Sequence, residues 1–204
     1  DALDDGPEAR SGVPQGRQFH ILLRRGLDIY DSLFPGFRSE LLAAGAEPVV
    51  WGRDLRWYHF GGWKRRNDAG FESVFCSRLL IESRLRRRLL ADPRVTIRSH
   101  AVVSDLAVDA ARRRVVGVVI EPKGTSGGAR ETLTADLVVD ASGRESKAPV
   151  WLAGHGHEPP TETVVNAKLG YVARYFRRRH DLPDWKALII HATPPAHTRL
   201  GALA

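Results

Sequence analysis

The stretch Leu137-Val138-Val139-Asp140-Ala141-Ser142-Gly143 constrains the fold more than any other. Consecutive apolar residues leave a strand no polar face. A run of that kind is expected to be buried on both sides, as the strands of parallel sheets are. The run then stops on an aspartate and a turn of small residues. In open α/β sheets, ligands bind at the carboxyl ends of strands. Small residues let a phosphate or ribose approach the backbone, Gly143 tolerates positive φ, and Asp140 offers acceptors to ribose hydroxyls. The same residues also describe a strand followed by an ordinary glycine turn, and at the level of sequence both readings stand.

The surrounding patterns give the expected order of elements. Residues 1–18, rich in Gly, Pro, Asp and Arg, predict a loop. Apolar residues from Phe19 to Phe34 recur near helical spacing and stop at Pro35-Gly36, which predicts a helix, with a second short one from Phe37 to Gly45. Aromatic-rich strands are expected over 47–52, 55–63 and 70–76. Leu79, Leu80, Ser83, Leu85, Leu89 and Leu90 form one face of a helix capped by Ser77 and stopped by Pro93. Strands follow at 95–99, 101–110, 114–122 and 131–141, the last two joined by a Gly-rich loop. A short helix after Pro149 leads to long strands over 162–179 and 185–195. This mixture suits an α/β nucleotide-binding layer interrupted by a separate antiparallel sheet.

Composition narrows the functional classes. At 204 residues, with 43% hydrophobic and 27% charged residues, the chain is of the ordinary globular type. No run approaches the ~18 apolar residues of a membrane span, and the acidic, polar start is no signal peptide. Lys and Arg exceed Asp and Glu by 31 − 24 = 7. That balance admits anionic partners, yet the basic runs at 84–89 and 175–180 read as solvated faces, and no nucleic-acid partner is expected. The single Cys76 excludes an internal disulfide and fits a reducing cytoplasm. It reads as a small core residue rather than a nucleophile. His155 and His157 read as loop residues rather than metal ligands. Arg78, in the first turn of its helix, opposes the helix dipole, so it is either a solvated residue or one held for a ligand.

Three segments together resemble FAD-dependent monooxygenases of the aromatic-ring hydroxylase (p-hydroxybenzoate hydroxylase-like) superfamily. ADLVVDASGRESKAPVWL resembles the segment with the family's Asp-Gly motif, with Ala141-Ser142 inserted between Asp140 and Gly143. FCSRLLIESRLRRRLLADPRVTIRSHAVVSDL resembles the strand, helix and strand that carry a flavin-contacting Arg and an adenine-contacting Val, here Arg78 and Val103. RSGVPQGRQFHILLRRGLDIYDSLFPGF is similar to the stretch holding a phosphate-contacting Arg, for which Arg17 is the candidate, with Arg10 and Arg24 as alternatives.

The resemblance implies an α/β FAD/NAD(P)-binding layer of the two-dinucleotide-binding type with an inserted antiparallel substrate sheet. Residues 1–46 and 76–158 would belong to the FAD layer, and 47–75 and 159–204 to the substrate domain. It implies FAD as cofactor, held by Arg17, Arg78, Val103, Asp140, Ala141 and Gly143, and NAD(P)H as reductant. The substrate would be an apolar or aromatic small molecule, lined by Trp51, Trp57, Tyr58, Phe60, Trp63, Tyr171 and Tyr175. The chain lacks Met, the family's G-x-G-x-x-G and its C-terminal Gly-Asp motif, so it is expected to be an internal segment. The competing readings are a flavin-dependent reductase of isoprenoid double bonds and a non-enzymatic basic binding module.

Overall fold

The computed structural model describes residues 6–9, 13–109, 111, 114–124, 129–168, 170–177, 181, 183–192 and 201–203. The chain divides into two compact units. One comprises the described residues of Asp4–Thr96 and Tyr171–Ala204, the other is built on Ile97–Gly170.

The first unit is organised around one strand. Phe19–Leu22 (β1) and Glu47–Val50 (β2) pair antiparallel on either side of Glu72–Ser77 (β5). The side chains of β5 alternate, as the strand's period of two requires. Val74 packs into a cluster with Leu22, Leu27, Phe37, Leu41, Ala46 and Ile81, which come from β1, from helices Arg24–Leu33 (α1), Phe37–Ala43 (α2) and Arg78–Leu90 (α3), and from the turn after α2. Phe75 points the other way, into a cluster with Val49, Leu55 and Ala187. That second face meets a four-stranded sheet in the order β10 (Gly201–Leu203), β9 (Ala187–Ile190), β3 (Leu55–His59), β4 (Gly62–Trp63). Helices, a central sheet and an outer sheet therefore enclose β5, and each fully buried side chain of its size contributes about 1.5–3 kcal/mol.

α3 follows β5 without a loop. Ser77 ends the strand and caps the helix, its Oγ accepting from the Leu80 N–H at 3.1 Å. The apolar spacing of Phe19–Leu22 fits a helix, but these residues are strand. The backbone partners offered by β5 outweigh that local periodicity, and α1 starts only at Arg24.

The second unit is an antiparallel meander, Ala101–Asp109 (β6), Arg114–Pro122 (β7) and Glu131–Thr134 (β8), with helix Ala148–Gly154 (α4) packed on β6. β6 bulges between Val103 and Asp105 and again between Ala107 and Val108.

This architecture overturns the expected dinucleotide-binding layer. Among the described residues there are three small sheets, and β3 with β9 is the one parallel pair. The third strand of the meander ends at Thr134. Leu137 and Val139, predicted to be buried on both faces, are 78% and 75% exposed, with no strand beside them. An apolar run becomes a buried strand only where neighbours supply both its hydrogen bonds and its cover, and the short sheets here supply neither. For the same reason 95–99 and the described part of 162–179 form no strand, and Val172 is 99% exposed. The tip of the Gly-rich loop, 125–128, and residues 178–180 lie outside the described residues.

Candidate functional site

A cleft lies in the first unit, where the turn after β2 meets the segment leading into β5. Trp51, Leu55, Trp57 and Phe71 form its apolar walls, and Lys64, Arg65 and Asn67 its polar margin. Its volume is about 220 Å³.

Local chemistry fixes these walls. Trp51 donates its backbone N–H to the Phe71 carbonyl at 3.1 Å and accepts from the Ala69 N–H at 3.0 Å. Its indole N–H donates to Ser73 Oγ at 2.7 Å, which anchors the ring to the buried strand β5. The Trp51 ring stacks on Phe71 at 6.0 Å and 22°, and meets Trp57 edge-on at 6.3 Å and 63°. Gly52 has φ +82°, and a Cβ there would lie 2.3 Å from the Asn67 carbonyl oxygen, so only glycine lets the two turns close on each other. Trp57 comes from β3, and its carbonyl accepts the Lys64 N–H at 2.8 Å. Its indole N–H is buried without an acceptor among the described residues.

Asp54 holds the turn that carries Trp51. Its carboxylate accepts from the Val50 N–H at 2.9 Å and from Arg53 at 2.9 Å. The Arg53 hydrogen bond, opposed by partial burial and helped by the Val50 N–H and by Lys186, holds the acid below the usual carboxylate range. Lys186 ties the start of β9 to the same turn through the Pro48 carbonyl and Glu47, each at 2.7 Å.

Beyond Trp57 the rings continue. His191 stacks on Trp57 at 5.4 Å, and His59 lies 4.4 Å from His191. Partial burial, then the neighbouring His191 and Lys64, lower the His59 pKa.

The residues expected to hold FAD fall in both units. In the first, Arg17 is exposed at the end of a short 3-10 turn, Pro14–Arg17. Arg78 stands at the first position of α3, where its Nε donates to Glu82 at 2.6 Å and its Nη1 reaches Gln15 at 3.4 Å. Arg24 pairs with Asp28, and Arg10 lies outside the described residues. In the second unit, Val103 sits beside the first β6 bulge, while Asp140, Ala141 and Gly143 are exposed. Asp140 Oδ1 accepts from the Ser142 N–H at 2.9 Å, and Oδ2 accepts from the Ser146 hydroxyl. Ser146 Oγ in turn accepts from the Ala148 N–H at 3.1 Å, at the start of α4. The Ser142 hydroxyl first, then the Ser146 hydroxyl and the Ser142 N–H, lower the Asp140 pKa. The turn thus satisfies its own polar groups, as the plainer sequence reading has it. Either unit by itself holds part of the set. Cys76 is packed against the helical cluster, and burial pushes its thiol up to about 11, outside nucleophilic range.

Of the aromatics expected to line a substrate site, Trp51 and Trp57 line this cleft. Tyr58 and Trp63 pack on each other at 5.3 Å, and Phe60, Tyr171 and Tyr175 are exposed. Sequence reasoning missed Phe71, Lys64 and Arg65. The available signal was the run Gly61-Gly62-Trp63-Lys64-Arg65-Arg66, where cations follow a hairpin between aromatic strands.

No protein-family model matches the chain. The chain is similar to Protein Rv3254 of Mycobacterium tuberculosis (strain ATCC 25618 / H37Rv), with 35% identity over 211 residues. That alignment covers 100% of this chain and 44% of the relative, so the chain spans less than half the length of that protein.

Proposed function

We propose that this chain binds a flat organic molecule in the Trp51–Trp57–Phe71 cleft and forms the substrate side of a flavin-dependent oxidoreductase, an NAD(P)H-dependent monooxygenase. The observation that carries the reading is the cleft itself: a mainly apolar concave site that includes three aromatic rings and a few polar side chains in its lining, the usual form of a small-molecule site. At about 220 Å³ it is smaller than the ~300–1,000 Å³ of drug-sized sites and suits one or two rings.

The cofactor half of the reading rests on the motif resemblance. One structural feature agrees with it: β5 runs directly into α3, and Arg78 stands at the junction, as in the resembled segment. When bound, FAD would supply hydride acceptance and oxygen activation. The chain's own residues do the rest. Trp51 and Phe71 orient the ring, Trp57 and Leu55 exclude water from one side, and Asn67 offers a hydrogen bond at the margin. No helix among the described residues is long and apolar enough to cross a membrane. The proposed setting is the cytoplasm, as the lone thiol suggests.

The test has two arms. The purified protein is titrated with 2-naphthol while tryptophan fluorescence is followed; saturable quenching that Trp57→Ala abolishes is expected, and its absence refutes the cleft. The protein, expressed as the natural polypeptide, is then examined for a flavin chromophore and for NAD(P)H oxidation with oxygen uptake. A bound flavin without oxygen uptake points to the reductase class, and a protein that takes up no flavin ends the oxidoreductase reading.

A further inference from the structure

The outer sheet of the first unit has one face on the core and one facing away from it. Leu55 and Ala187 lie in the cluster with Val49 and Phe75, and Ile189 packs against that cluster. Side chains alternate along a strand, so Arg56, Tyr58, Leu188 and Ile190 fall on the opposite face. Trp63 joins them from β4, opposite Tyr58 and packed on its ring at 5.3 Å. Trp63 is 50% exposed and Ile190 42%.

At the end of this face the β3–β4 hairpin turns on Phe60 and Gly61, with φ +53° and +75°. Two positive values mark a type I′ turn, which favours Asn-Gly. A bulky ring at the first position works against the backbone. Phe60 is also 82% exposed, so it contributes little to the core. Its ring contacts are local, with His59 at 3.7 Å and the Lys64 ammonium at 5.2 Å. A residue that breaks a local rule without a folding benefit points to function. The Arg56 guanidinium stands 5.1 Å from the Trp63 ring centroid, so each of these two exposed rings has a cation beside it. Arg66 pairs with Asp184, whereas Arg56, Lys64 and Arg65 form no ion pair with a described acid. Neither Leu55–Arg66 nor β9 contains an aspartate or glutamate.

From this face and its tip we infer that the β3–β4 hairpin docks on an anionic lipid bilayer. Phe60 and Trp63 enter the boundary between headgroups and acyl chains, and Arg56, Lys64 and Arg65 meet lipid phosphates. Amphipathic aromatic rings concentrate at that boundary, and long cationic side chains keep their charge at headgroup level. A second copy of this chain fits the face poorly, because it would set the same unpaired cations against each other. Lys64 and Arg65 also reach the cleft margin, but docking does not depend on what the cleft binds. One cation near an anionic surface contributes about fivefold in affinity, so three give a preference of about 100-fold over a neutral bilayer.

Sedimentation with vesicles tests the inference on the natural polypeptide. The vesicles are phosphatidylcholine, alone or with about 30% phosphatidylglycerol, at low ionic strength and at about 0.5 M salt. Binding to the anionic vesicles is expected, about 100-fold weaker to the neutral ones and released by salt. Phe60→Asn gives the turn its preferred residue, so the hairpin should keep its fold while binding falls about tenfold with the loss of the inserted ring. Arg56→Gln with Lys64→Gln should lower binding about 25-fold, with an unchanged urea midpoint as the check on folding. Equal binding to the two vesicle types, binding to neither, or undiminished binding by Phe60→Asn overturns the inference. So does a single-stranded oligonucleotide that binds more tightly than the anionic vesicles, which would assign the cations to nucleic acid. The naphthol titration of the cleft is unaffected by any of these results.

Discussion

Two apolar runs in this chain have nearly the same local character and opposite fates. Ser73-Val74-Phe75-Cys76 lies in β5, with a strand on each side and a cluster on each face, and Val74 is 0% exposed. Leu137-Val138-Val139 precedes a turn in the second unit, with Leu137 and Val139 in solvent and Val138 half-buried. The first runs through Ser77 directly into a helix, and the second passes through a serine-bearing turn before one. The difference lies in their neighbours: β1 and β2 pair with β5 and helices cover it, whereas the meander ends at Thr134, before the second run begins. Burial is a property of the surrounding elements, and a run of valines signals only that it would accept burial.

The largest effect that could break this comparison is a core truncation. Phe75→Ala should lower stability by about 3–5 kcal/mol, because the side chain sits between the central and outer sheets and its removal leaves a cavity. A drop in the urea midpoint with an unchanged slope would show it. A loss below about 1 kcal/mol would mean that the outer sheet does not close over β5.

The next effect compares two carboxylates. Asp54 is buried and holds the cleft turn, while Asp140 is exposed and holds its own turn. Asp54→Asn should cost about 1–3 kcal/mol, as the Val50 N–H and the Arg53 guanidinium lose a charged acceptor. The pH dependence follows from the direction of the Asp54 shift. Its folded pKa lies below the unfolded value near ~3.9, so the unfolded chain binds the proton first. The contribution is complete above that value and is lost as pH falls through the lower, folded one. The acid side of the stability–pH curve should therefore flatten in Asp54→Asn. Asp140 is shifted in the same direction, but Asp140→Asn should leave the global midpoint where it is, since solvent replaces its partners.

A smaller effect separates the two serines. Ser77→Ala should cost about 1 kcal/mol, the usual value of a helix N-cap. It should also loosen Arg78, one residue on. Ser146→Ala removes a bond at the start of the shorter α4, and its effect should be confined to the exchange of amides in α4.

These contrasts also mark what was legible in the sequence. α3 and its Ser77 cap were readable because both signals are local: a period of 3.6 and a hydroxyl at the right position. β6 and β7 were readable because each continuous β-branched run finds its partner a few residues away. Phe19–Leu22 and Leu137–Val139 were misread for one shared reason. Their state depends on strands distant in sequence, present for the first and absent for the second. The cleft was half legible. Trp51 and Trp57 advertise themselves by size, whereas Phe71, Lys64 and Arg65 join them through a turn closed by Gly52 against Asn67, which no periodicity reveals.

The smallest expected effect is the sharpest test of the opening contrast. Leu137→Ala should change stability by no more than about 0.5 kcal/mol, because a side chain already in water loses no burial and leaves no cavity. A null result in a denaturation curve is weak alone, so it is paired with amide exchange. Amides of 73–76 are hydrogen-bonded within a sheet covered on both faces, and should exchange only through large-scale opening. Amides of 137–139 lie outside any strand or helix and should exchange near the rate of a free peptide. Strong protection at 137–139, or a loss of several kcal/mol in Leu137→Ala, would mean that this run is covered in solution. Its apolar character would then report a real interior, and the two runs would differ in which partner buries them and not in whether they are buried.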